Sequence, residues 1–243
     1  NPPPAEESCN FVQNSFNRRV SWARTPVLFY IDKKSFEDYA AMGTLGVDED
    51  GNPLTVQVLY TAIREAMDFW NAEFEEPVFK LVGVTEDPAL KEPTLNAEGR
   101  VIPDRYNAIY FVDREKFENT SSKDEQARTS ISFRGDFIYE ADVVIDASEV
   151  FYFEDEARSA AGGRIQFKSL MIHELGHVLG LGHVEDAEVN SVMFPKLQFG
   201  QLRPLPTPMI DENGEKVLSA QGTEVLGLQL PEIDRDSLAC EYK

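Results

Sequence analysis

The chain has 243 residues of ordinary globular composition, long enough to bury a substantial core as one large domain or one domain with insertions. Its 43 acidic residues against 23 basic ones give a formal charge of −20, which argues against nucleic acid and anionic membranes as partners and would repel strongly acidic substrates. No apolar run reaches the ~18 residues a membrane span needs, and the start at Asn1 without a methionine suggests a mature or trimmed product, so the missing leader is uninformative.

Residues 1–8 form a proline-rich, acidic leader expected to be extended and flexible. Cys9 follows, and the only other cysteine is Cys240; the two can pair across the termini or stand as separate thiols, and the residues alone leave both open. A compact apolar run at 26–31 predicts a first buried strand. Asp48-Glu49-Asp50-Gly51-Asn52-Pro53 is a turn by composition; its D-x-D-x-N spacing offers oxygens to calcium, but the later glutamate of an EF-hand loop is absent. From about Leu54 to Phe74, apolar residues such as Val58, Ala62, Ala66, Met67 and Trp70 recur with helical period and predict a long helix packed behind a sheet. Residues 78–84, 108–112, 127–133 and 137–145 predict four further strands. Arg134-Gly135-Asp136 joins the last two, an integrin-type tripeptide in the position of a hairpin turn. The polar stretch 86–105 is expected to be a surface insertion, 118–126 a loop and 154–163 a charged connection.

Phe167 to Leu179 is apolar nearly all round, which predicts a helix buried through the centre of the molecule. It runs into His173-Glu174-Leu175-Gly176-His177-Val178-Leu179-Gly180-Leu181-Gly182-His183. Two histidines four residues apart lie on one helix face, a turn apart, so both imidazoles can reach one ion. Gly180 can end the helix in a left-handed conformation and turn the chain so that His183 swings back. Three neutral nitrogens and one open position are what a catalytic zinc needs, and Glu174 sits beside them without needing to be a ligand. A bare H-E-x-x-H recurs by accident in plain helices. Here a glycine and a third histidine complete it, and all 3 histidines of the chain fall inside this stretch.

Ser191-Val192-Met193-Phe194-Pro195 follows. The extended motif with such a Met-containing turn resembles the metzincin clan of zinc endopeptidases, and S-V-M-F-P is most like the matrixin branch, although Val184 stands where matrixins usually carry serine. The resemblance implies a metzincin-like (zincin) α+β fold: a twisted, mostly parallel five-stranded sheet with an antiparallel edge strand, a backing helix, a buried active-site helix and a C-terminal helix, here over 231–242. It implies a single domain over 9–243, with an upper half to about 182 and a lower half from about 183. It implies one zinc held by His173, His177 and His183, with Glu174 as general base, Met193 beneath the site and Phe194 and Pro195 in the wall of the pocket for the residue after the scissile bond. Ser130, Ile131 and Ser132 of the edge strand would pair with an extended substrate. The secreted character of the clan favours a Cys9–Cys240 disulfide. Ser8-Cys9-Asn10 does not match the P-R-C-G-type latency segment of matrixin precursors, so Cys9 is given no switch role.

The expected function is therefore a monomeric zinc metalloendopeptidase acting on proteins or peptides, secreted or at the cell envelope, free or lipid-tethered. Phe194 to Gly200 supplies Phe, Pro and Leu but no acidic residue, so Leu, Met or Phe is expected after the cut bond, and Asp and Glu are not. The competing reading is a catalytically silent zinc-holding binding or adhesion module on the same fold; the intact Glu174 speaks against it. The stretch 196–230, with the turn-like Asp211-Glu212-Asn213-Gly214, is longer than a compact matrixin catalytic domain leads one to expect.

Overall fold

The computed structural model describes residues 9–47, 51–86, 104–118, 125–154, 162–186, 189–209, 211, 215–219 and 222–242. The expected leader at 1–8, the acidic residues 48–50 considered for calcium, most of the 86–105 insertion and of the 154–163 connection, and residues 212–214 of the second turn lie outside these.

In chain order the elements are β1 (Ser21–Trp22), β2 (Val27–Asp32), α1 (Lys33–Ala41), α2 (Val56–Asn71), β3 (Phe79–Thr85), β4 (Asn107–Val112) and α3 (Arg114–Glu118). They continue with β5 (Ala127–Arg134), β6 (Phe137–Asp146), β7 (Phe151–Tyr152), β8 (Ile165–Gln166) and α4 (Phe167–Val178), then β9 (Thr207–Pro208), β10 (Leu226–Gly227) and α5 (Glu232–Ala239). The main sheet has the order β1-β6-β4-β2-β3, parallel throughout, and β5 lies antiparallel along the other side of β6. This is the expected mixed, mostly parallel sheet with an antiparallel edge, with one correction: among the described residues the sheet has six strands instead of five. The sixth, β1, is a two-residue strand at the start of β6, too short to leave a periodic signature.

Strand β2 is buried on one face only at its start. Val27, Phe29 and Ile31 point into the main core while Leu28 is exposed, so the unbroken apolar run hides an alternation. Tyr30 faces the opposite side, where Tyr110, Val144 and Phe117 of α3 form a small second cluster. Two helices escaped the sequence reading because each offers too little buried surface to leave a period. Helix α1 buries only Phe36 and Tyr39, with Asp32 capping it by accepting from the Ser35 N–H at 3.1 Å, and α3 is barely more than a turn.

Helices α2 and α4 carry the core. Leu59, Ile63, Met67 and Trp70 make a stripe of helical period along α2, and it packs against α4. All but two residues of α4, His173 and His177, are buried. The start of α4 is capped by Gln166, whose side chain accepts from the Ser169 N–H at 2.5 Å; glutamine is not a usual cap, so the sequence offered no signal there. Its far end sits inside the protein, where orphan carbonyls need donors. Trp22 Nε1 donates to the Val178 carbonyl and the Tyr242 hydroxyl to that of Leu179, both at 2.7 Å.

The β5–β6 hairpin turns through Gly135, as Arg134-Gly135-Asp136 predicted. Its Asp136 is engaged by Asn14 Nδ2 at 2.8 Å and by Arg18, so the tripeptide is tied to the N-terminal segment. That segment is an integral part of the fold: Phe11 pairs with Leu181, and the Val12 N–H donates to the Gly180 carbonyl at 2.8 Å. Cys9 and Cys240 are disulfide-bonded across 231 positions, the pairing that the resemblance favoured. Beyond the Met-containing turn the chain has no helix among the described residues until α5, only the β9–β10 pair and an isolated bridge between Leu218 and Glu224. Helix α5 is shorter than expected and rotated from the apolar reading: Asp234 and Ser237 are buried with Leu238, while Ile233 and Ala239 are only half-buried.

The disulfide closes a very long loop, so Cys240→Ser is expected to lower the unfolding free energy by about 2–4 kcal/mol, read as a shifted denaturant midpoint. An unchanged midpoint would mean that the bridge adds no stability.

Candidate metal centre

The three histidines converge. Their ring nitrogens lie within 4.8 Å of one another, with His177 Nε2 3.1 Å from His173 Nε2 and 3.0 Å from His183 Nε2. The other nitrogens decide what these contacts are. His173 Nδ1 lies 2.7 Å from the Val192 carbonyl and His177 Nδ1 2.8 Å from the Leu181 carbonyl. A carbonyl only accepts, so both Nδ1 atoms must carry the proton, and both Nε2 atoms turn lone pairs inward. Burial reinforces the neutral form. It drives the His173 pKa well below its ordinary value, brings that of His177 down to about 4 and lowers that of His183. Converging lone pairs cannot hydrogen-bond one another; they suit a cation between them.

Gly180 places the third histidine. Its φ of +93° is a conformation that side chains rarely adopt, and a Cβ there would run into the Val20 carbonyl oxygen. The turn is held from outside by the N-terminal segment. The Gly182 N–H donates to the Asn10 carbonyl at 2.8 Å, and Asn10 Nδ2 donates to the carbonyl of His183 itself. Gly182 leaves the room that Asn10 Oδ1 fills, 2.8 Å from where a Cβ would stand.

Met193 packs against α4 beside the histidines. A Cβ on Gly176, between the first two histidines, would collide with Met193 Sδ and press on Trp70. Trp70 in turn donates from Nε1 to the Ile172 carbonyl at 2.9 Å. The turn around Met193 is anchored by Asp234 of α5. This carboxylate accepts from Ser191 Oγ at 2.6 Å and from the Val192 N–H at 2.9 Å, while Ser191 Oγ accepts from the Met193 N–H at 2.9 Å. Val184, the residue that departs from the matrixin pattern, donates its N–H to the Met193 carbonyl at 2.9 Å and so ties the third-histidine segment to the same turn.

Glu174 is buried beside the histidines, and Thr129 of β5 donates to its Oε2 at 2.6 Å. Loss of water raises its pKa to about 7, with the Thr129 hydrogen bond opposing the rise. A cavity of about 250 Å³ adjoins the centre, and His173, Glu174, Ile131, Phe194 and Pro195 all line it. Ser130 and Ser132 do not line it.

The family model described as Matrixin matches residues 106–216, just under half of the chain. Metalloendoproteinase 1-MMP of Arabidopsis thaliana is 33% identical over 54 residues, which make up 22% of this chain and 14% of that protein. The chain carries a matrixin-like domain. It is metalloprotease-like in its histidine cluster, and matrixins bind zinc. The matched span holds the three histidines, Glu174 and Met193, whereas Asn10, Trp22, Trp70, Asp234 and Tyr242, which brace them, lie outside it.

Sequence reasoning missed these bracing residues and also Thr129 and Arg203, both of which line the cavity. For Asp234 a signal existed: an acidic residue on the face of a short helix that also carries the buried Leu238. For Asn10, Thr129 and Arg203 none did, since each meets the site only through the tertiary fold.

Gly180→Ala is expected to destabilise the protein by about 1–3 kcal/mol or more, since it combines backbone strain with a clash against main chain. Thermal or denaturant unfolding checks this, and an unaltered transition would show that the turn accommodates a side chain.

Proposed function

We propose that this chain is a zinc-dependent endopeptidase in which His173, His177 and His183 hold one zinc ion and Glu174 is the general base. The observation that carries the reading is the convergence of three neutral imidazoles, two with their outer nitrogens committed to carbonyls, beside a buried carboxyl group. Zinc, when bound, supplies a Lewis acid that polarises a carbonyl and makes water acidic near neutral pH.

The protein's own part follows from its donors. Thr129 fixes one oxygen of Glu174, leaving the other to take a proton from the attacking water and then deliver it to the departing amine. A carboxyl pKa near 7, set by burial, suits a group that must both accept and release a proton at neutral pH. The free edge of β5 offers main-chain donors and acceptors to an extended peptide, and the cavity beside His173 takes the side chain after the cut bond. Residues 9–243 act as a single domain in this reading, because the segments outside the matched span complete the histidine site. Protein substrates fit the family, and the disulfide fits an oxidising, extracellular setting. Among the described residues no helix is long and apolar enough to cross a membrane.

The test is hydrolysis of a fluorogenic peptide with and without a chelator, alongside metal analysis. Glu174→Gln is expected to keep its zinc and lose about 10²–10⁴-fold in turnover, the usual worth of a general base; cleavage at the parent rate would remove Glu174 from that role. Thr129→Val is expected to lower kcat more than it raises KM, with Thr129→Ser restoring most of the loss, because only the hydroxyl orients the carboxylate. Equal kcat in the Val variant would make Thr129 a packing residue.

A further inference from the structure

The cavity beside the histidines is not uniformly apolar. Leu170, Val192, Phe194 and Leu197 furnish apolar walls, and Arg203 lines it as well. Its main chain is fixed: the Arg203 N–H donates at 2.9 Å to Oγ of Ser169, a buried residue of α4 one turn before His173. That places this anchor roughly 6 Å along the helix from the first histidine.

The guanidinium is poorly satisfied. It lies over the Phe194 ring, with Cζ 5.1 Å from the centroid, which leaves its donor edge without an acceptor from that side. Nη1 reaches the Val189 carbonyl only at 3.4 Å, and Nε is buried without a partner. Among the described residues no carboxylate pairs with it. Asp234, the acid whose charge it feels, is committed to Ser191 and Val192. Burial also lowers the arginine's pKa, as loss of water does for a cation without a close counter-ion. A fork of five donors that makes one long hydrogen bond among the described residues gains from any acceptor brought to it, most of all from a charged one.

Resting on the endopeptidase reading, we propose that Arg203 is the specificity-determining residue of this cavity and that it selects glutamate as the substrate residue after the scissile bond. In this reading the side chain packs its stem on the apolar walls and sets its carboxylate against the guanidinium over Phe194. Glutamate therefore fits better than aspartate, which is too short, and better than leucine, which leaves the donors unanswered. This reverses the preference that residues 194–200 suggested, because the fold adds to their apolar wall charged groups from outside that stretch, Arg203 and Arg128 together with Glu125. The net charge of −20 repels every acidic peptide wherever its charge lies, so it does not decide between positions within one peptide.

The test uses two peptides of identical composition, with Glu and Leu exchanged between the position after the cut bond and a distant one. Cleavage is measured with the zinc-loaded parent, and equilibrium binding with zinc-loaded Glu174→Gln. The peptide with Glu after the cut bond is expected to be favoured about tenfold in both assays, a typical discrimination for an interaction of this kind. Arg203→Met should abolish or invert that ratio, and Arg203→Lys, which keeps a cation on a similar stem, should retain part of it. A parent that prefers the Leu peptide, or a ratio unmoved in Arg203→Met, overturns the proposal. Discriminating binding without any cleavage would leave Arg203 its role and count against the endopeptidase reading alone. If neither peptide binds, the proposal fails.

Discussion

A helix buried on nearly every side must find partners for its polar groups inside the protein, and the two histidines of α4 find theirs in main-chain carbonyls. Both helical histidines spend their outer nitrogen on a main-chain carbonyl, which fixes the tautomer and turns the remaining lone pair inward. The accepting carbonyls, of Val192 and Leu181, belong to the two segments that most need positioning, the turn around Met193 and the return that carries His183. Local hydrogen bonding and the geometry of the candidate site are thus one problem with one solution.

Around that helix the donors come from remote parts of the chain. Trp70 reaches it from α2, Trp22 from the first strand and Tyr242 from beyond α5. Each is a large side chain with a single N–H or O–H, so it fills volume and satisfies an acceptor together. The site is rigid because its supports are core residues. The histidines themselves are held by main chain outside the helices, through the Val192 and Leu181 carbonyls and through Asn10 against the carbonyl of His183.

What the sequence disclosed follows from how local each feature is. The histidine helix, its glycine turn and the Met-containing segment are short-range patterns, and the long strands and α2 have clear periods; all were legible. The two-residue β1 and the helix α3 are too short to have a period, and α1 buries too few residues to make one. The apolar run 26–31 reads as a buried strand because Leu28, an exposed leucine, looks in sequence like its inward neighbours. Asn10, Thr129 and Arg203 were illegible for a different reason: no local pattern marks these side chains, and only β5 pairing, the N-terminal bridge to Leu181 and the hydrogen bond to Ser169 bring them to the centre.

The disulfide has a consequence for chain integrity. Asp234 holds the Met-containing turn, and it stands on α5, separated in sequence from that turn by a stretch with Leu205, Leu218 and Leu226 exposed. Such a stretch invites nicking, and in a chain held only by its backbone one nick there would let α5 diffuse away with the anchor. Cys240, at the end of α5, is bonded to Cys9, and Cys9 adjoins the segment laid along the third-histidine return. A cut chain therefore remains one covalent molecule, with Asp234 still tethered at high effective concentration to the turn it supports.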